Sequence, residues 1–130
     1  MNKRKGSNHP TVKTKTSVIH RDGGRCVLNL ARCTGQAETT DHRANRQAGG
    51  SRVLNDPANL LGACVRCNGD KADASGEVRE DLERRGINIL PAATHEKTLE
   101  RAKTTPVQYP DGRWYQLVDE NTRIEWKDAA

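Results

Sequence analysis

Residues 26–71 read CVLNLARCTGQAETTDHRANRQAGGSRVLNDPANLLGACVRCNGDK and contain all four cysteines of this 130-residue chain. Cys26 and Cys33 are separated by six residues, and Cys64 and Cys67 form a C-x-x-C pair thirty residues further on. A C-x-x-C turn points two thiolates at one ion, and a second pair completes a tetrahedral sulfur set. The spacing predicts one closed structural zinc site. Two disulfides or ordinary buried thiols are the alternatives.

The composition indicates that the fold needs such a site for its stability. The length allows one domain, and only 33% of the residues are hydrophobic, with no Phe and two Trp. So thin a core needs additional stabilisation from a metal or from disulfides, and zinc binding contributes directly to the free energy of folding.

Membrane and secreted classes are disfavoured. No run approaches the ~20 apolar residues that a membrane span needs. Residues 1–15 are basic and polar, without an apolar stretch behind the charges, so we expect no secretory signal and a cytoplasmic location. In a reducing compartment clustered cysteines bind metal more often than they form disulfides.

Positive charge is concentrated in the first half of the chain. Residues 1–71 hold 13 Lys and Arg against 5 Asp and Glu, whereas residues 72–130 hold 9 against 12. A basic half is either a solubilising surface or a surface for a polyanion such as nucleic acid. Composition alone favours neither.

Four polar residues stand inside or beside the loop that zinc would close: Asp41, His42, Asn59 and Asn68. Each has an ordinary interpretation as a surface, turn or helix-cap residue. Together, in this order and spacing, they are much less expected by chance.

The stretch 26–71 resembles an HNH (His-Asn-His) endonuclease of the ββα-metal type, in the zinc-binding subgroup. The matching motifs are D-H at 41–42, G-G at 49–50, N-L at 59–60 and C-x-x-C-N-x-x-K at 64–71. The third histidine of the family name is Asn68 here, which makes a D-H…N…N variant. The resemblance covers about 46 of the 130 residues and extends, more weakly, to small phage and prophage HNH proteins.

This resemblance implies an α+β fold. A small ββα-metal core would be stapled by the four-cysteine zinc site, with C-terminal helices and a β-hairpin. One strand would end at Asp41-His42, a loop would cover 43–58, a return strand would start at Asn59, and a helix would open around Cys67-Asn68. The turn signals Gly49-Gly50-Ser51 and Asn55-Asp56-Pro57 agree.

We expect three parts: a basic flexible arm over 1–15, the HNH core with its zinc site over 16–75, and a helical and hairpin extension over 76–130 packed on the core. Helices are predicted over 16–22, 77–85 and 95–103, the second capped by Ser75 and followed by Gly86. The segments WYQLV and TRIEW predict the hairpin.

The resemblance and the chemistry assign roles. His42 is the expected general base, since imidazole can take a proton near neutral pH. Asp41 and Asn68 would hold a catalytic divalent ion, and Asn59 would fix the loop and orient His42. Carboxylate and amide oxygens favour Mg²⁺ or Mn²⁺, and a single negative ligand predicts weak ion binding before DNA joins.

Basic residues around the motifs suit contacts to phosphate, although scattered surface charge is an equal alternative for each. The predicted contacts are Arg43, Arg46, Arg52, Arg66 and Lys71.

The sequence therefore predicts a metal-dependent HNH DNA endonuclease or nickase that hydrolyses phosphodiester bonds. The resemblance implies a phage or prophage origin, action in a bacterial host, and an association with packaging proteins such as terminase or portal. The alternative is a non-catalytic zinc-stapled nucleic-acid-binding module or a packaging adaptor.

Overall fold

The computed structural model describes residues 9–45 and 52–127, which form a mixed α+β structure. Within these ranges there are four α-helices and two small antiparallel sheets. The helices are α1 (Val12–Arg21), α2 (Val65–Ala72), α3 (Gly76–Arg84) and α4 (His95–Thr104). The strands are β1 (Thr39–His42), β2 (Leu60–Ala63), β3 (Val107–Gln108), β4 (Trp114–Leu117) and β5 (Arg123–Glu125).

Strands β1 and β2 and helix α2 form a continuous β-β-α unit. The two strands pair antiparallel, with His42 opposite Leu60, and all four residues of β2 are buried. Helix α2 follows β2 directly because Cys64 caps it, accepting a hydrogen bond from the Cys67 amide. The order of strand, strand and helix agrees with the prediction.

Asn59 does not open the return strand as predicted. It closes a short 3-10 turn, Pro57–Asn59, and β2 starts one residue later. Asp56 caps this turn by accepting a hydrogen bond from the Ala58 amide, and Pro57 is preorganised for its first position. A second 3-10 turn, Arg52–Asn55, precedes it.

Helix α1 begins at Val12, four residues before the predicted start. Thr11 supplies the cap, since its hydroxyl accepts a hydrogen bond from the Thr14 amide at 3.1 Å. Residues 12–15, assigned to the flexible arm from their basic composition, are therefore helical. Residues 1–8 lie outside the described ranges.

The C-terminal elements lie close to their predicted positions. Helices α3 and α4 begin and end within one residue of the prediction, and the hairpin is part of the sheet β3-β4-β5. Gly86 ends α3 with φ +73°, and a Cβ there would lie 2.1 Å from the Pro106 carbonyl oxygen. Only glycine tolerates both conditions.

One hydrophobic cluster joins the two halves of the chain. The first half contributes three cysteines and neighbouring aliphatic residues, and the second half contributes side chains from α3, from the C-terminal sheet and from the segments that follow α3 and β3. Its members include Cys26, Val27, Leu28, Leu61, Cys64, Cys67, Leu82, Ile87, Val107, Tyr109 and Leu117.

Buried polar groups tie the halves further. Arg43 is 0% exposed, and its guanidinium donates to the carbonyls of Ala58, Gly86, Ala102 and Thr105 at 2.7–2.9 Å. Because these acceptors come from three separate parts of the chain, one side chain fixes the end of β1 against α4 and the end of α3.

Candidate active site and metal centre

The four cysteines converge on one point. The Sγ atoms of Cys26, Cys33, Cys64 and Cys67 all lie within 4.8 Å of one another, and all four thiols are free of disulfides. Three are buried and Cys33 is half-buried. This cluster could hold a metal ion, and a set of four cysteines fits a structural zinc site as the spacing predicted.

Backbone amides surround the sulfurs as they do in thiolate sites. The Leu30 amide donates to Cys67 Sγ at 3.4 Å, and the Gly35 amide donates to Cys33 Sγ at 3.3 Å. Burial raises the pKa of Cys64, but hydrogen bonds from backbone groups near Thr34 and Cys67 outweigh it and hold that pKa at about 6.

At two neighbouring thiols burial outweighs the hydrogen bonds, and the pKa of Cys26 and of Cys67 is raised. Four thiolates so close together repel one another and are not stable without a cation between them. The cluster therefore needs a soft divalent ion to become fully ionised, which is the condition that zinc meets.

A second group of polar residues lies in a cleft beside α2. Asp41 and His42 at the end of β1, and Asn68 and Lys71 on α2, all line a cleft of about 550 Å³. In the antiparallel pair Thr39, at the start of β1, lies opposite Ala63, just before α2. The later part of α2 reaches the end of β1, where Lys71 contacts Asp41 and His42. The cleft thus joins the residues predicted as base and ion ligands.

Asp41 is almost fully buried and paired with a lysine. Lys71 Nζ donates to Asp41 Oδ2 at 2.5 Å, and the exposed fractions of the two side chains are 10% for Lys71 and 8% for Asp41. Burial raises the pKa of Asp41, while the ammonium of Lys71 works against this by favouring the carboxylate. Asp41 and Asn68 offer the hard oxygen atoms that Mg²⁺ or Mn²⁺ prefers.

Lys71 does not offer the free phosphate contact that was predicted. Besides Asp41, its ammonium donates to the carbonyl oxygens of His42 at 2.6 Å and Arg43 at 3.4 Å. These acceptors match the three hydrogens of an ammonium group. Lys71 therefore ties α2 to the end of β1.

His42 is half-buried and its ring is held by a residue that sequence reasoning missed. Nε2 of His42 lies 2.7 Å from Oδ1 of Asn55, at the end of the first 3-10 turn. The sequence offered one signal, the Asn-Asp-Pro turn, but a turn signal does not reveal which side chain a residue meets.

Asn59 is completely buried and clamps the chain around the site. Its amide oxygen accepts from the Ala44 amide at 2.8 Å, and its amide nitrogen donates to the carbonyls of Ala44 and Leu54 at 3.1 and 2.9 Å. Its own carbonyl accepts from the Arg43 amide at 2.8 Å. The geometry is that of a loop-fixing residue, the task expected of Asn59.

Of the other basic residues predicted to contact phosphate, none of those described lines the cleft. The prediction that Arg43 contacts phosphate was wrong, because its guanidinium is buried among backbone carbonyls. Arg52 and Arg66 are exposed but do not line the cleft, and Arg46 lies outside the described residues.

Two cations of the cleft were missed. Lys15 on α1 and Arg79 on α3 line it, and Asp41 is its only acidic residue among those described. Lys15 was not considered because the predicted arm extended to it. Arg79 belongs to the net acidic half, where no polyanion contact was expected.

Comparisons with protein-family models, curated proteins and solved structures returned no match for this chain. Among the described residues, no helix has the length and apolar character needed to cross a bilayer.

Proposed function

We propose that the chain is a metal-dependent DNA endonuclease or nickase of the HNH type. The observation that carries this proposal is the shared cleft: Asp41, His42 and Asn68 line it together, while Asn59 clamps the loop behind it. The β-β-α order of their elements and the resemblance of residues 26–71 support the same interpretation. Phage or prophage origin and packaging partners rest on the resemblance alone.

Five residues of the cleft, and Asn59 behind it, would have separate tasks in phosphodiester hydrolysis. His42 takes a proton from the attacking water, a role that contributes ~10²-fold to 10⁴-fold to the rate. Asp41 and Asn68 would hold a divalent ion, which when bound neutralises charge on the phosphate and the leaving oxygen. Lys15 and Arg79 attract the polyanion, and Asn59 keeps the chain after His42 in place.

One observation favours the alternative, a zinc-stapled module that binds nucleic acid without cutting it. The carboxylate of Asp41 is already paired with Lys71 at 2.5 Å, so a divalent ion has to compete with an ammonium group. A binding module, however, has no need for a base and a carboxylate in one cleft with a loop clamp behind it.

A plasmid-cleavage assay tests the proposal. Zinc-loaded wild type is compared with His42→Ala and Asp41→Asn, without added metal and with Mg²⁺ or Mn²⁺. His20→Ala is the matched control, because His20 is exposed and does not line the cleft. We expect metal-dependent nicking or linearisation that both site variants lose by at least about 100-fold and the control retains.

Circular dichroism and zinc content confirm that each variant is folded. Absence of cleavage by folded, zinc-loaded wild type with every metal would refute the nuclease. DNA binding measured by fluorescence anisotropy on the same samples would then support the binding module.

A further inference from the structure

Strand β5 is an edge strand of the C-terminal sheet, whose strand order is β3-β4-β5. The opposite edge is covered in part, because the Gln108 amide on β3 donates to the Arg85 carbonyl at 2.9 Å. An edge strand presents N–H and C=O groups that can pair with a strand of another chain. The groups that β5 presents are therefore of interest as a contact surface.

The hydrogen bonds of the hairpin define which backbone groups of β5 face outward. The Trp126 amide donates to the Trp114 carbonyl at 2.7 Å, and the direction of these bonds alternates along an antiparallel strand. Ile124, two residues earlier, therefore also directs its backbone groups to β4. Arg123 and Glu125 direct theirs to the outer edge, where no backbone hydrogen bond among the described residues satisfies them.

The order of charges on β5 is complementary to itself. If two copies pair antiparallel about a two-fold axis through Ile124, Arg123 of each copy lies opposite Glu125 of the other. These are the residues with outward backbone groups, so each such pair also exchanges both N–H···O=C bonds. An axis through Arg123 or through Glu125 would place like charges opposite each other, which is destabilising. Backbone and charge thus select the same register.

The side chains of the charged face are prepared for this contact. The guanidinium carbon of Arg123 lies 4.4 Å from the ring centroid of Tyr109 and 4.1 Å from that of Tyr115. The two rings hold the guanidinium in place, and stacking leaves its N–H groups available to a carboxylate. Glu125 has only a weak competing partner, because Lys127 Nζ is 3.9 Å away and the Lys127 side chain is exposed.

The other face of β5 offers apolar surface. Ile124 is 56% exposed, and within the sheet it lies opposite Gln116. Across the two-fold axis it would contact Ile124 of the second copy, and the half-buried Trp126 would lie opposite Thr122 of that copy. Pairing would therefore remove apolar area from water on one face while ion pairs form on the other.

We propose that β5 is a self-association surface whose partner is β5 of a second copy of this chain, paired antiparallel about Ile124. Because one short strand from each copy forms the contact, we expect a weak dimer with a dissociation constant of about 10–100 µM. The dimer carries two copies of the cleft. Their use on one or both DNA strands rests on the proposed function, whereas the self-association does not.

The first test measures the mass and the edge amides of zinc-loaded wild type at increasing concentration. Sedimentation equilibrium should show the average mass rising from 14.4 kDa toward twice that value. Amide hydrogen exchange followed by NMR should slow for Arg123 and Glu125 only at concentrations where the dimer forms. The Ile124 amide, which faces β4 in both states, is the internal reference.

Charge reversal tests the register. Glu125→Arg places an arginine opposite Arg123 of the second copy, and Arg123→Glu places a glutamate opposite Glu125, so each variant alone should be monomeric. A 1:1 mixture of the two should associate again, because every pair across the axis then has opposite charges. Circular dichroism checks each fold first, since Arg123→Glu removes the cation between two tyrosine rings.

Ile124→Lys is a second variant that leaves those rings untouched. It places two ammonium groups next to each other at the axis and should abolish the dimer. Val78→Lys is the matched control, because Val78 is 50% exposed but lies on α3. The control should associate like the wild type.

A wild type that stays monomeric well above the expected dissociation constant would overturn the proposal. A dimer that survives both Glu125→Arg and Ile124→Lys would also overturn it, because the interface would lie elsewhere. Two folded charge variants that do not associate when mixed would refute the register. All these measurements are made without DNA, so failure of self-association is distinguishable from failure of the proposed nuclease function.

Discussion

The cysteine cluster and the cleft are two polar sites that both use residues of the β-β-α unit, and they differ in almost every property that matters for an ion. The cluster offers four sulfur atoms within 4.8 Å, most of them buried. For the predicted ion the cleft offers the carboxylate of Asp41 and the amide of Asn68; it opens to solvent, and Lys71 already lies against the carboxylate. A closed set of soft ligands suits a permanent structural ion, whereas an open set of hard ligands suits one that exchanges.

Helix α2 is shared by both sites and explains how they can differ so sharply. Cys64 and Cys67 occupy its cap and first turn, and Asn68 follows directly on the chain. Neighbouring helix positions point about 100° apart, so Cys67 faces the core while Asn68 faces the cleft. Loading the first site should thus align the ligands of the second.

The largest expected effect follows from removing the metal of the cluster. Structural zinc contributes roughly 10–16 kcal/mol in small zinc domains, which is comparable to the whole stability of a typical domain, about 5–15 kcal/mol. We expect chelation, or Cys67→Ser, to abolish the cooperative thermal transition seen by circular dichroism.

Cys33→Ser sharpens this prediction, since Cys33 is the half-buried member of the cluster. It should retain a transition at a lower temperature. An unchanged transition after complete removal of metal would show that the cluster is not a structural metal site.

An intermediate effect is expected from Lys71→Met. Leaving Asp41 buried without its partner should destabilise the zinc-loaded protein by about 3–5 kcal/mol in the absence of Mn²⁺, measured by urea unfolding. Because the competing cation is gone, Mn²⁺ should bind at least about tenfold more tightly without DNA and restore the lost stability.

Arg32→Met is the control for Lys71→Met. It breaks the Arg32–Asp70 pair, which is also anchored on α2 but is exposed, so little change is expected. If Lys71→Met does not strengthen Mn²⁺ binding by calorimetry, Asp41 is not a ligand of that ion.

The smallest expected effect is that of Lys15→Ala. Removing one phosphate contact should weaken DNA binding about equally for all sequences and lower the slope of log K against log salt by about 1. Arg66→Ala removes the same charge from an exposed position outside the cleft and should leave the slope unchanged. Equal slopes for the two variants would show that the cleft is not where phosphate binds.

The local parts of the molecule could be predicted from the sequence. Cysteine spacing indicated the cluster, turn and cap residues placed α3, α4 and the hairpin, and the motif order placed Asp41, His42 and Asn68 together. The caps and turns lie within a few residues of the elements that they specify, whereas the cysteine pairs and the motifs were recognised from their order and spacing along the chain.

The hydrogen-bond partners of single polar side chains could not be predicted, because those partners lie far away along the chain. Arg43 looked like a phosphate contact, yet carbonyl groups up to 62 residues away satisfy its guanidinium. Lys71 looked free, yet it spans 30 residues to Asp41. The Asn55–His42 contact likewise depends on how the loop between β1 and β2 folds back.

The carbonyl partners of Arg43 also determine how early in synthesis the chain around His42 can fold. Its last acceptor is Thr105, and Tyr109 adds a hydrogen bond from its hydroxyl to Asp22 at 2.6 Å. The loop after His42 is therefore not fully secured until most of the chain has left the ribosome. A fragment ending near residue 75 would contain every motif yet leave a guanidinium without most of its acceptors, so we expect no active minimal version from truncation.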